Sequence, residues 1–293
     1  MTEPMIYIDG DFYAKSQAKI SVFDHGFLYG DGLFEGIRAY NGQVFLCREH
    51  LDRFYDGANC LLINLPLPKR ETRAVLYECL KRNNLKDSYI RLIATRGIGD
   101  LGLNPRNCAD RASLICIAAS ITLYPEELYR KGMKIITSAV QRSHPECLNP
   151  RVKSLNYLSN IMAKTEAVNN GYEEAVMLNH RGEVAEATGD NIFIVKNGTI
   201  KTPPPSAVIL EGCTRNCVIS LARKAKYELR EETLARFDLY TADELFLTGT
   251  AAELIPVTAC DGRNIGNGKP GPVTLDLLKK FRQFIKTYKD KGV

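Results

Sequence analysis

Residues able to do chemistry stand at a handful of separated places in this chain. Lys153 lies in Arg151–Ala167, RVKSLNYLSNIMAKTEA, after a turn-like stretch at His144–Pro150. Leu155, Leu158, Ile161, Met162 and Thr165 follow at helical spacing and Ser154 suits an N-cap, so the lysine is expected immediately before a helix. A lysine held where an ordered segment begins can form a Schiff base when its surroundings depress its amine; a surface lysine beside a helix start is the plain alternative. Two further stretches look built for an anion. Leu210–Arg215 (LEGCTR) and Thr248–Glu253 (TGTAAE) each place a glycine and a hydroxyl before an expected helix or turn. Backbone N–H groups and a helix dipole bind phosphate in such places, although Gly and Thr also cap helices for structural reasons alone.

Glu186 sits among small residues in Glu183–Phe193, expected in a turn before a strand. Buried there, its carboxylate can hydrogen-bond a protonated ring nitrogen; exposed, it is a solvated turn acid. Tyr89 and Arg91 are two apart on an expected strand, so they share a face, where a phenol and a guanidinium can converge on a carboxylate. Arg53 reads by pattern as a helix-surface arginine. No GxxxxGK[ST] loop occurs. Cys213 with Cys217, and His144 with Cys147, lack a matching second half, so no metal site is expected and the cysteines read as small hydrophobes.

The elements that must position these residues alternate along the chain. Met5–Gly10 reads as a strand and turn returning through Asp11–Ala14, and Asn41-Gly42 as a hairpin turn between Ile37–Tyr40 and Gln43–Phe45. Glycine spacing in Asp24–Arg38 points to backbone bends, with aromatics between them suggesting a lined pocket. Helices are expected over Arg48–Asn59 and Lys69–Asn83, and strands over Ser88–Thr95 and Ser113–Ala119. Beyond a connector come strands at Lys134–Ala139, Glu174–Asn179, Ile192–Lys196, Tyr227–Leu234 (an edge, from its mixed charge), Leu245–Leu247 and Leu254–Val257. Helices are expected at Thr214–Lys226, Ala242–Leu245 and Gly271–Tyr288, and Thr202–Ser206 as a rigid extended segment. The pattern is that of an α/β (α+β) protein: a small N-terminal domain over residues 1–121, a connector over 122–132 and a larger domain over 133–293.

With 293 residues, 45% of them hydrophobic and 25% charged, there is ample material for two cores. A net charge of +5 without basic runs does not point to nucleic acid. No apolar run reaches transmembrane length and no signal peptide is expected. Nine cysteines, an odd number, then suggest reduced thiols and a cytoplasmic location.

Eight ordered motifs carry a resemblance over Ile6–Val257. They are Tyr29–Arg38 (YGDGLFEGIR), Arg48–Phe54 (REHLDRF), Tyr89–Arg91 (YIR), Gly99–Pro105 (GDLGLNP), Val152–Asn160 (VKSLNYLSN), Glu186–Phe193 (EATGDNIF), Leu210–Arg215 and Thr248–Glu253. Together they resemble the fold-type IV pyridoxal phosphate aminotransferases, most of all the branched-chain amino acid aminotransferases. The resemblance implies a two-domain fold whose larger domain carries a pseudo-barrel sheet, with pyridoxal 5'-phosphate as cofactor. It implies that Lys153 forms the internal aldimine and moves the proton, that Glu186 pairs with the pyridine nitrogen and that Tyr157 lies near the phenolic oxygen. Arg53, Thr214 and Thr250, with the amide around Cys213, would hold the phosphate, and Leu210 would pack on the ring. Tyr89 and the Thr250-Ala251 amides would meet the substrate α-carboxylate, Arg91 the side-chain carboxylate of glutamate, and Phe34 the apolar side chain. Tyr29 and Leu103 would reach in from a partner subunit, which makes the expected assembly a homodimer or larger.

The implied reaction is ping-pong transfer between Leu, Ile or Val and 2-oxoglutarate. The sequence departs from the family pattern at Cys213, where an aliphatic residue is usual, and at Thr188 and Asp190 beside Glu186. D-amino acid aminotransferases, (R)-amine transaminases and aminodeoxychorismate lyase share the fold. The loop Gly99–Pro105 and Arg91 favour the L-branched-chain reading over the first two, and the lyase stays open.

Overall fold

The computed structural model describes residues 3–108, 111–120 and 124–293. The chain divides into two compact units, the first formed by Met1–Ile121 with Val152–Asn156 and Ile285–Val293, the second by Thr122–Arg151 with Tyr157–Phe284.

The first unit begins with the hairpin β1 (Met5–Ile8) and β2 (Asp11–Ala14), then a five-residue helix α1 (His25–Tyr29) and the long strand β3 (Gly32–Tyr40). After β4 (Gln43–Val44) come α2 (Cys47–Cys60), α3 (Lys69–Arg82), β5 (Ser88–Thr95) and β6 (Ser113–Ala119). The strands form one six-stranded sheet in the order β2-β1-β6-β5-β3-β4. Asn41 and Gly42 both adopt positive φ (52° and 75°), the backbone that a two-residue hairpin between right-twisted strands requires.

Alternation along β3 decides what each face does. Leu33, Ile37 and Ala39 point into the core with Leu51, Phe54 and Ala58 of α2 and Leu76, Cys79 and Leu80 of α3. Each fully buried Leu, Ile or Phe of this set contributes about 1.5–3 kcal/mol. Phe34, Gly36 and Arg38 occupy the opposite face, which the pairs Gly36↔Arg91 and Arg38↔Tyr89 share with β5.

Beside β3 the structure corrects an expectation. Ser154 does not cap a helix that begins behind Lys153. The amide of Phe34 donates to the carbonyl of Lys153 (2.9 Å), the amide of Leu155 donates to the carbonyl of Gly32 (2.9 Å), and Leu33 bridges Ser154. The reason is the edge of β3: β4 covers it only at Ala39–Tyr40, so the backbone at Gly32–Phe34 recruits the lysine segment as an extended partner.

The second unit opens beyond residues 121–123, which lie outside the described residues and include the start of the expected connector. It runs α4 (Glu126–Lys131), β7 (Met133–Thr137), α5 (Leu158–Asn169), β8 (Glu174–Leu178), β9 (Val184–Ala187), β10 (Asn191–Lys196) and β11 (Thr199–Thr202). There follow α6 (Cys213–Lys224), β12 (Leu229–Glu231), α7 (Arg236–Tyr240), β13 (Glu244–Gly249), β14 (Glu253–Cys260), β15 (Arg263–Asn264) and α8 (Pro272–Thr287). The sheet order is β12-β11-β10-β13-β14-β7-β8-β9, with β15 on β14. In a flat sheet β10 and β9 would lie five strand spacings, roughly 24 Å, apart. They are joined by only three residues, whose chain reaches about 14 Å at most, so the sheet must curl into a half-barrel.

Several local expectations are revised here. The helix begins at Leu158, and its periodic residues Leu158, Ile161 and Met162 face outward (69%, 57% and 53% exposed) while Asn160, Ala163 and Ala167 are buried. Periodicity shows which residues share a face, not what that face meets. The short helix expected at Ala242–Leu245 lies earlier, at Arg236–Tyr240, because Glu244 and Leu245 already pair with Val195 and Ile194 in the sheet. Glu186 is in strand β9, not a turn, and Thr248-Gly249 ends a strand that leads through a turn into another strand. Among the described residues no helix is long and apolar enough to cross a membrane.

Candidate active site

In the first unit four of the expected residues gather around one ring. The Phe34 ring has the Nζ of Lys153 4.6 Å from its centroid and the guanidinium of Arg91 4.4 Å from it. Arg91 Nη2 also donates to the hydroxyl of Tyr89 (3.2 Å). Gly36 is required between them, since a Cβ there would sit 1.9 Å from the Tyr89 oxygen. One face therefore carries an amine, an apolar ring, a guanidinium and a phenol, each fixed by strand register or by the backbone bonds that hold Lys153 to β3.

Arg53 is not a surface residue. It projects from α2 toward the inward face of β3, where its Nε donates to Glu35 Oε1 (2.7 Å) and its Nη2 to Oε2 (2.8 Å). His50, one helical turn earlier, bonds the same carboxylate through Nδ1 (2.8 Å). Glu35 is fully buried. Burial alone would raise its pKa, but the charges of Arg53 and His50 and their hydrogen bonds outweigh this and pull it from 4.5 to about 2. The result is an arginine whose guanidinium plane is set by a bidentate partner. Tyr29 and Leu103 lie on exposed surface, the Tyr29 hydroxyl donating to the carbonyl of Leu101 in the loop that carries Leu103.

In the second unit Glu186 of β9 is buried and held on several sides. Its oxygens accept from Arg142 Nη2 (2.9 Å), from Asn191 Nδ2 (3.0 Å) and from the amide of Leu210 (3.2 and 3.1 Å). Asn191 Nδ2 also donates to the carbonyl of Leu210 (2.8 Å), so Leu210 is tied to the acid by both its amide and its carbonyl. Three residues on, Cys213 and Thr214 open α6, whose N-cap is Gly212 without a side-chain cap. Thr250 and Ala251 form the turn between β13 and β14. The β9–β10 turn packs on both of these loops. A Cβ at Gly212 would sit 2.1 Å from Asn191 Oδ1, and one at Gly249 would sit 1.8 Å from Asp190 Oδ1. Tyr157 is the residue immediately before α5.

These loops suit an anionic group. The start of α6 has no side-chain cap on its backbone donors, and the buried hydroxyl of Thr248 has no hydrogen-bond partner in the protein. Among the described residues no cluster of three or more His, Cys, Asp or Glu could hold a metal ion.

Glu35, His50, Arg142, Asn160 and Asn191 were not singled out from sequence. For Glu35 a signal existed: it is an acid on the face of β3 that otherwise reads Leu33, Ile37, Ala39. Arg142 carries none, because its partner is 44 residues away in sequence.

Compared with known proteins, residues 32–260 match the family described as Amino-transferase class IV. A Methanocaldococcus jannaschii protein provisionally named branched-chain-amino-acid aminotransferase is 53% identical over 94% of this chain and 95% of its own. The Pseudomonas aeruginosa branched-chain-amino-acid aminotransferase is 38% identical over 94% of this chain and 91% of its own. Among solved structures, a T.th. branched-chain amino acid aminotransferase complexed with N-(5'-phosphopyridoxyl)-L-glutamate superposes with a TM-score of 0.90 at 37% identity, covering 97% of this chain and 94% of that one.

Proposed function

The chain belongs to the class IV aminotransferases, and on that premise we propose that it moves the amino group of leucine, isoleucine or valine to 2-oxoglutarate in two alternating half-reactions. The activity is that of a branched-chain amino acid aminotransferase, dependent on pyridoxal 5'-phosphate. One observation supports the substrate pair best: Lys153 and Arg91 lie 4.6 and 4.4 Å from the centre of the same Phe34 ring. An apolar side chain can lie on the ring, and a glutamate side chain in the same place can present its carboxylate to Arg91.

The bound cofactor supplies an electron sink for the carbanion formed at the substrate α-carbon. Lys153 would hold it through Nζ, and its amine, when free, would serve as the base that moves the substrate's α-proton. Glu186 would accept the ring N–H. Tyr157 would donate toward the phenolic oxygen and Leu210 would pack on the ring. Arg53, the amide around Cys213, Thr214 and Thr250 would bind the phosphate, the uncapped start of α6 supporting that role. Tyr89 and the Thr250-Ala251 amides orient the α-carboxylate.

The working form is a homodimer or larger, with Tyr29 and Leu103 reaching into the neighbouring subunit's site. The 79% exposure of Leu103 and the outward apolar stripe of α5 support a second copy covering them. Nine cysteines without a disulfide suit the reducing cytoplasm. The test is an amino-donor profile with 2-oxoglutarate as acceptor. L-Leucine, L-isoleucine and L-valine are expected to turn over, and D-alanine is not; turnover with D-alanine alone would overturn the reading.

A further inference from the structure

Arg142 lies outside every role assigned above, and its surroundings are unusual. Its side chain is 7% exposed, and its Nε is buried without a hydrogen-bond partner. Desolvating a guanidinium in this way is costly unless a charge compensates. The compensating charge is Glu186, reached by Nη2 at 2.9 Å. The rest of the residue is fixed in place. Its amide donates to the carbonyl of Leu178 (2.9 Å), and Nη1 donates to Asn160 Oδ1 (2.9 Å). Asn160 in turn donates to the carbonyl of Thr188 (2.7 Å), in the turn that follows Glu186.

We propose that Arg142 is a positioning residue that keeps Glu186 ionised, so that the proton between Glu186 and the cofactor's ring nitrogen stays on the nitrogen. This rests on the reading that Glu186 faces that nitrogen. A proton shared by a ring nitrogen and a carboxylate goes to the more basic of the two. Burial makes a carboxylate more basic, and a cation in contact makes it less so. Asn191 and the Leu210 amide hold the carboxylate but carry no charge, so among the contacts described above only Arg142 supplies the cation. The nearby acids work the other way: Asp190 follows in the same turn, and Glu174 of β8 accepts from the Thr188 amide (3.2 Å) and is itself paired with Lys164 (3.0 Å). The amide of Asn160 sets the guanidinium plane so that Nη2 meets Glu186.

The test compares wild type with Arg142→Met, Arg142→Lys, Asn160→Ala and Glu186→Gln. Two properties are read without substrate: the dissociation constant of apoprotein for pyridoxal phosphate, and the pH midpoint of the bound cofactor's visible absorbance. A protonated ring nitrogen withdraws electrons from the carbon joined to Lys153 Nζ and lowers that nitrogen's proton affinity, so losing the ring proton raises the midpoint. Arg142→Met is expected to raise it by about one pH unit or more and to weaken cofactor binding about tenfold. Arg142→Lys is expected to restore most of the midpoint, because the charge remains, and Asn160→Ala to shift it upward by less than Arg142→Met. If Arg142→Met does not fold, Asn160→Ala decides. A wild-type midpoint in Arg142→Met, or in Asn160→Ala if Arg142→Met fails to fold, together with a shifted Glu186→Gln, overturns the inference alone, whatever the melting temperatures. A wild-type midpoint in Glu186→Gln overturns the ring-acid assignment and the inference with it.

Discussion

Replacing Glu35 by glutamine tests whether the buried carboxylate is what sets Arg53. Glu35 is fully buried, and its pKa falls from 4.5 to about 2 because Arg53 and His50 outweigh the burial that opposes ionisation. At about 1.4 kcal/mol per tenfold change, that fall corresponds to roughly 3 kcal/mol of stability. Glutamine keeps the shape but leaves Arg53 beside a neutral amide, and breaking a buried pair in this way costs about 3–5 kcal/mol. Glu35→Gln is therefore expected to lower unfolding stability at pH 7 by roughly 3 kcal/mol. The assay is denaturant unfolding followed by far-ultraviolet circular dichroism, since the chain has no tryptophan. The pH dependence follows from the sign of the shift. A carboxyl that titrates lower in the folded state contributes fully above its unfolded value and loses that contribution as pH falls through the folded one. The gap between wild type and variant should be flat above about pH 5 and close between 4.5 and about 2. The variant should also bind pyridoxal phosphate more weakly, because Arg53 is no longer held in plane. A variant within about 1 kcal/mol of wild type at pH 7, or a gap undiminished at low pH, would refute the reasoning.

Three further outcomes are expected. Lys153→Ala should abolish transamination and borohydride trapping of the cofactor while leaving the unfolding midpoint within about 0.5 kcal/mol of wild type; retained turnover contradicts the lysine's role. Arg91→Leu should raise KM for 2-oxoglutarate at least tenfold, as expected for losing a charged hydrogen bond of about 1.5–3 kcal/mol, with KM for L-leucine within roughly twofold; equal changes for both substrates would show that Arg91 does not read the side-chain carboxylate. Lys153→Ala and Leu103→Asp subunits, each impaired alone, should recover about one quarter of wild-type activity when unfolded and refolded together, because half the dimers are mixed and each mixed dimer has one intact site. No recovery means that Leu103 does not act across subunits.

Much of the architecture was legible because it depends on local rules. The strands Ser88–Thr95 and Ser113–Ala119 follow from alternation and bounding turns, and their observed limits agree with the expected ones. The hairpin at Asn41-Gly42 follows from the positive φ that those residues tolerate. Helix α2 follows from the spacing of Leu51, Phe54 and Ala58. Expectations failed where a distant partner decides. Ser154 has the chemistry of a helix cap, but the edge of β3, some 120 residues earlier, offers backbone hydrogen bonds and draws Lys153–Leu155 into an extended path. Glu244 and Leu245 have helical propensity but lie in a strand that pairs with β10.

What the sequence determined by itself is the inventory and its order: a lysine, a carboxylate among small residues, two glycine–threonine loops, an arginine helix and a Tyr-x-Arg strand, in a pattern shared with one family. Residue type and spacing are enough for that, because each motif's chemistry is local. Tertiary structure decided how those groups are held. It alone pairs Arg53 with Glu35, lays the Lys153 amine over Phe34 and sets Arg142 against Glu186. Those contacts form between segments far apart in the chain, and charge, burial and orientation at each arise only when the segments meet.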